Sequence, residues 1–201
     1  MRIFPVAVTL GLFIGLLGAT ASQAQPATQV RVLIDTEAGP IAIELDAARA
    51  PRTVANFLRY VDEQFFDGAS FYRTVTPDNQ PDNLIKIEVI QGGADGTKAA
   101  HEPIALEPTS VTGMKHRDGT VSMARNGPDT ATSEFFICVG EQPELDFGGR
   151  RNPDGQGFAA FGRVVTGMEV VRLIQHRAAD RQRLAPPVRI RTMRRAPSDP
   201  P

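Results

Sequence analysis

The chain has 201 residues, with 22 basic and 23 acidic side chains and a formal net charge of −1. That balance gives no global electrostatic case for a nucleic-acid partner. A single cysteine, Cys138, excludes an internal disulfide and makes stability independent of an oxidising compartment.

Met1-Arg2 supplies a positive charge, Ile3 to Leu17 is almost wholly apolar, and Ala21-Ser22-Gln23-Ala24 ends in small residues. This order is that of a secretory signal peptide, with cleavage expected after Ala24. A bilayer span needs about 20 apolar residues, and this run is shorter and broken by glycines. The signal predicts export to the periplasm with no stable membrane insertion after cleavage. Residues 25–201 read as one domain with an ordered core of about 30–193.

Val30 to Ile34 and Ile41 to Leu45 are β-branched runs separated by Glu37-Ala38-Gly39-Pro40, a hairpin signal. From Pro51 the period changes: Val54, Phe57, Leu58 and Val61 form one stripe of a helix, with the proline suited to its first turn. Strands are predicted at Ser70–Val75, Leu84–Ile90, Val121–Ala124, Glu134–Val139, Ala159–Val165 and Pro187–Met193, with a second helix over Met168–Gln175. Many short strands with two helices point to a mainly β fold, a closed antiparallel barrel capped by helices.

Four segments carry a resemblance. They are Ala50-Pro51-Arg52-Thr53-Val54-Ala55-Asn56-Phe57; Phe71-Tyr72-Arg73 followed by Gln91-Gly92-Gly93; Gly119 to Arg125 running into Ser133-Glu134-Phe135-Phe136-Ile137; and Leu145-Asp146 with Phe161-Gly162-Arg163-Val164 and Gly167-Met168. In this order they resemble the cyclophilin-type peptidyl-prolyl cis-trans isomerases over most of the chain. The resemblance implies an eight-stranded barrel with a peptide groove on its outer face. It further implies a monomer without cofactor or metal that acts on proline-containing unfolded or extended polypeptides to assist folding of exported proteins.

By that resemblance Arg73 is the catalytic residue, and the groove is built from Phe71, Val89, Gln91, Ala124, Arg125, Glu134, Phe136, Leu145 and Phe158. Gln91 is expected to orient Arg73, Phe136 and Leu145 to receive the proline ring, and the backbone of Ala124 and Arg125 to pair with the peptide. Strand alternation places Phe135 inward and Phe136 outward. Amide resonance sets a rotational barrier of about 18–20 kcal/mol. A guanidinium aimed at the prolyl nitrogen lowers it by donating to that nitrogen as it becomes pyramidal, with no nucleophile or metal.

The chain also departs from the family. Thr76 to Asn83 is an inserted polar stretch between Arg73 and Gln91; Glu88, Glu134 and Glu144 stand where neutral or aromatic groups are usual, as does Phe158 in place of histidine or tyrosine. Pairing of Glu134 with Arg73 or Arg125 is expected, with modest activity, weak cyclosporin binding and a preference for substrates with basic residues near proline.

Other chemistry has little footing. Cys138, within an apolar run, reads as a core residue; His101, His116 and His176 have no metal-ligand spacing; neither G-x-S-x-G nor a P-loop occurs. Two further readings are a peptide-binding chaperone on the same fold with weak or no isomerase activity, and an anionic-surface contact through Arg172–Arg195, where eight arginines face one acid.

Overall fold

A computed structural model of the protein describes Met1, residues 29–94 and residues 96–197. Residues 2–24 of the expected signal peptide lie outside the described residues. Nine strands and three helices occur in the order β1 (Gln29–Thr36), β2 (Gly39–Asp46), α1 (Pro51–Asp62), β3 (Ser70–Val75), β4 (Val89–Gly93), α2 (Thr109–Thr112), β5 (Thr120–Met123), β6 (Phe135–Cys138), β7 (Ala159–Thr166), α3 (Met168–Gln175), β8 (Ala179–Asp180) and β9 (Arg183–Arg195) among the described residues.

The strands hydrogen-bond in the order β1-β2-β7-β5-β6-β4-β3-β9, and β9 returns to β1, so eight strands close an antiparallel barrel. The two-residue β8 only pairs with the start of β9. Closure leaves no open edge among the eight. The predicted barrel is therefore observed, with α2 as an additional single turn and with β4 shorter than expected. Residues 84–88 are not strand, and Leu84 is fully exposed at 98%.

Alternation fills the interior. Val32 and Ile34 of β1, Ile41, Ile43 and Leu45 of β2, Val121 and Met123 of β5, and Ile137 of β6 all point into one core. Aromatic rings occupy its centre: Phe57 of α1 lies 5.5 Å from Phe135 and 5.0 Å from Phe161, and Phe71 lies 5.7 Å from Phe135. Edge-on and tilted packing of this kind suits the ring quadrupoles.

The helices close opposite mouths. α1 begins just beyond the end of β2, where Ala50 donates to the Asp46 carbonyl, and buries the predicted stripe Val54, Phe57, Leu58 and Val61. Its N-terminus is capped from a distance: Glu107 accepts from the Thr53 N–H at 2.7 Å, the Thr53 hydroxyl at 2.6 Å and the Arg52 N–H at 3.2 Å. A carboxylate there satisfies orphan donors and the positive end of the helix dipole. α3 sits at the start of β2, with Val170 against Gly39 and Val171 and Ile174 in the core.

The arginine-rich C-terminal region is largely committed to ion pairs. Arg172 pairs with Asp118, Arg191 with Asp35, Arg194 with Asp67 and Arg195 with Asp62. At least half of the cations in that region are thereby drawn into intramolecular pairs, which weakens the case for an anionic-surface contact.

Candidate active site

A second, smaller apolar cluster lies on the outside of the barrel. Val75, Ile87, Val89, Phe136, Cys138 and Leu145 form it, with Ala124 and Phe158 packed against its margin. It exists because β4 and β6 each send one set of alternating side chains inward and the other outward. Ile90, Phe135 and Ile137 belong to the barrel core, and Val89, Phe136 and Cys138 to this outer cluster. The predicted orientation of the Phe135-Phe136 pair is the one observed. Burial pushes the Cys138 thiol well above its ordinary pKa, so it packs as an apolar group.

Arg73 stands beside this cluster because of a register shift. Pairing of β3 with both neighbours slips between Phe71 and Arg73, a bulge that lets consecutive residues share one face. Phe71 points into the core and is fully buried. The expectation that Phe71 lines the groove is thus corrected: it belongs to the barrel interior, against Phe135. Tyr72 and Arg73 both turn outward, and Arg73 comes opposite Gln91.

The guanidinium is held by neutral amides. Arg73 Nη1 donates to Gln91 Oε1 at 2.8 Å, and Nε and Nη2 donate to Gln182 Oε1 at 3.0 and 2.6 Å. With Oε1 of Gln91 occupied, its Nε2 donates to the Tyr72 hydroxyl at 2.7 Å, and that hydroxyl donates to Glu134 Oε2 at 2.7 Å. A relay therefore runs from Arg73 through two neutral side chains to one carboxylate. The expected direct pairing of Glu134 with Arg73 or Arg125 is replaced by this route. Glu134 lies over Gly93, where φ is +152° and a Cβ would collide with the carboxylate. Burial lowers the Arg73 pKa, and a guanidinium remains protonated nonetheless.

Arg125 forms the far wall. It makes a two-pronged pair with Asp154 at 2.8 and 2.9 Å, donates to the Gly157 carbonyl, and its guanidinium lies 5.2 Å from the centre of the Phe158 ring. That pairing holds the Asp154 pKa down at about 2. Phe158 meets Phe136 edge-on at 5.2 Å. Ala124 borders the cluster, and its N–H donates to the Glu134 carbonyl at 2.8 Å.

The other two carboxylates turn away from the pocket. Glu88 accepts from Gln175 of α3 at 3.0 Å, and Glu144 pairs with Arg150 at 2.7 Å. Of the three carboxylates, only Glu134 is joined to the Arg73 network.

Behind Phe136 lies a buried polar network. His116 stacks on the Phe136 ring with 5.9 Å between centroids. A carboxylate can only accept, so His116 Nδ1–H donates to Asp146 Oδ1 at 2.8 Å, and Nε2 accepts from the Ser122 hydroxyl at 2.9 Å. This is the Ser-His-Asp order of a hydrolase, but Ser122 is fully buried and faces the underside of the pocket. Its role is to brace Phe136 and Leu145.

Tyr72, Gln182 and Ile87 belong to this arrangement and are absent from the set expected from the sequence. Alternation of Ile87, Val89 and Gln91 was a usable signal for the first apolar one; nothing in the sequence marks Gln182, which the chain brings in from the turn between β8 and β9.

Residues 31–195 match the family model described as "Cyclophilin type peptidyl-prolyl cis-trans isomerase/CLD". The chain is 38% identical over 148 residues to peptidyl-prolyl cis-trans isomerase A of Dickeya dadantii, covering 71% of this chain and 70% of that protein. It is 37% identical over 155 residues to peptidyl-prolyl cis-trans isomerase B of Escherichia coli, covering 75% and 87%. A crystal structure of a cyclophilin type peptidyl-prolyl cis-trans isomerase of Cryptosporidium parvum superposes with a TM-score of 0.70 at 22% identity, covering 86% of this chain and 99% of that one. The same protein in the presence of the dipeptide Ala-Pro gives a TM-score of 0.68 at 21% identity, covering 84% and 99%.

Proposed function

The chain belongs to the cyclophilin-type peptidyl-prolyl cis-trans isomerases, and we propose that it speeds rotation about X–Pro bonds in extended segments of exported proteins, in the periplasm. The observation that carries the catalytic assignment is Arg73 itself, fixed beside the outer apolar cluster by two neutral amides.

Of its five N–H groups, three are engaged by Gln91 and Gln182, which leaves one on each Nη able to donate outward. As an X–Pro bond twists, the prolyl nitrogen loses conjugation and gains a lone pair. A hydrogen bond to that lone pair favours the twisted state over either planar isomer. Partial burial strengthens the donor's field, and fixed amide partners remove the need for reorganisation. Phe136, Val89, Ile87 and Leu145 offer the proline ring an apolar seat, so the remainder of the chain turns about a held ring. Export rests on the layout of residues 1–24.

The test compares wild type with Arg73→Ala in a prolyl-peptide exchange assay. Loss of about 100-fold or more in kcat/KM with an unchanged melting temperature is expected. Equal rates would remove the enzyme reading and leave a peptide-binding role.

A further inference from the structure

The insertion after β3 and the connection after Leu145 meet at one side chain. Arg151 lies in the connection between Leu145 and Phe158, and its N–H donates to the Glu144 carbonyl at 3.1 Å. Its side chain crosses to the insertion after β3, where Nη1 donates to Gln80 Oε1 at 3.0 Å and to the Ile85 carbonyl at 2.6 Å. Gln80 is buried and bonds the carbonyls of Thr76 and Ile87 through Nε2. Ile87 and Leu145 belong to the same outer cluster. Arg151 therefore spans the rim of the pocket from one wall to the other.

Its charge is unmatched. Arg125, Arg150, Arg194 and Arg195 each hold a carboxylate, whereas among the described residues Arg151 has only neutral partners and its Nε and Nη2 make no hydrogen bond. Lys86 donates to the main-chain carbonyl of the same Gln80. Gln182, which holds Arg73, also donates to the carbonyl of Asn79, the residue before Gln80. Arg73, Lys86 and Arg151 are thus gathered through Asn79 and Gln80, and among the described residues none of the three bonds a carboxylate directly. Burial, and then the charge of Arg73, lower the Arg151 pKa, as expected for cations that feel one another.

We propose that Arg151 is a specificity-determining residue that, with Arg73 and Lys86, makes the groove select proline segments carrying an acidic side chain within two residues of the proline. The proposal takes its proline from the isomerase reading; its charge preference stands on the arginine geometry. A substrate carboxylate would relieve the repulsion and complete a charge-assisted bond to the unused edge of the Arg151 fork.

The experiment uses the full chain and fluorescein-labelled proline peptides that differ only in having Glu, Gln or Lys at one of the two positions on either side of the proline. Affinities are read by fluorescence anisotropy, and isomerisation by NMR exchange on the same peptides. Wild type is expected to bind the best Glu peptide at least about fivefold tighter than its Gln counterpart, and about 0.5 M salt should shrink that ratio. Arg151→Gln should bring the ratio below about twofold, Arg151→Lys should restore part of it, and Arg151→Glu should favour the Lys peptide. A wild-type ratio near one at every position overturns the proposal, as does a ratio that persists in Arg151→Gln. If no peptide exchanges faster than its spontaneous rate while the Arg151-dependent ratio remains, the isomerase reading fails and the selectivity stands.

Discussion

Tyr72 and Arg73 are consecutive in β3 yet both reach Gln91, Tyr72 by accepting from its Nε2 and Arg73 by donating to its Oε1. The bulge after Phe71 makes this possible. Gln91 is held at both ends of its amide, so its orientation is determined rather than free to flip.

Tyr72→Phe breaks the relay on both sides of the hydroxyl. The expected outcome is a fall in kcat/KM of about tenfold with a melting temperature within a few degrees of wild type, because the group is half-buried and acts through Gln91. Glu134→Gln keeps an acceptor for Tyr72 and should fall by less, about two- to threefold. NMR exchange on one peptide ranks the two variants; the reverse order would show that the carboxylate acts directly on the groove.

Gln182→Leu removes the acceptor of two Arg73 hydrogen bonds. A hydrogen bond to a charged group is worth about 1.5–3 kcal/mol. Loss of about tenfold or more in kcat is expected, with a smaller change in peptide affinity measured by anisotropy, since the apolar seat is untouched.

The buried imidazole gives a pH dependence with a definite sign. Burial, opposed by the Asp146 hydrogen bond, lowers the His116 pKa, so the native state takes up a proton less readily than the unfolded chain. An unfolded chain protonates its imidazole near the ordinary value of about 6.5. As pH falls past that value the unfolded state binds more protons than the native state, and stability falls with it. The depressed carboxylates, such as Asp62 and Asp67, act in a lower window, as pH falls below the ordinary 3.8. Urea midpoints at about pH 7.5 and 5 should therefore decline in wild type, and the decline should flatten in His116→Gln.

Phe136→Ala removes a ring that is 4% exposed and touches both His116 and Phe158. Loss of about 3–5 kcal/mol by urea unfolding is expected, together with weaker binding of every proline peptide regardless of flanking charge.

Glu107→Ala separates fold from function. The cap on α1 should be worth about 1–2 kcal/mol by urea unfolding, while kcat/KM stays within twofold, since Glu107 lies at the mouth of the barrel rather than at the groove.

The barrel was legible because alternation is local: Val32, Ile34, Ile41 and Ile43 announce their faces in sequence, and so do Phe135 and Phe136. Phe71 was misplaced because the register slip that sends Arg73 outward is set by pairing with β4 and β9, which strand periodicity does not encode. Glu134, Glu144 and Arg125 were recognisable as charged groups near the groove, but nothing in strand or helix periodicity singles out their partners, Tyr72, Arg150 and Asp154. Ion pairing is a matter of three-dimensional reach, and the sequence supplies only the candidates.

The pairing of β1 with β9 has a temporal consequence. The first described strand finds its second neighbour only in the final one, residues 183–195, so the ring of hydrogen bonds cannot be completed until nearly the whole polypeptide is available. Such long-range closure is slow. During synthesis the amino-terminal strands stay open-sided, which suits the proposed export, since a chain threaded unfolded across a membrane has no closed barrel to undo.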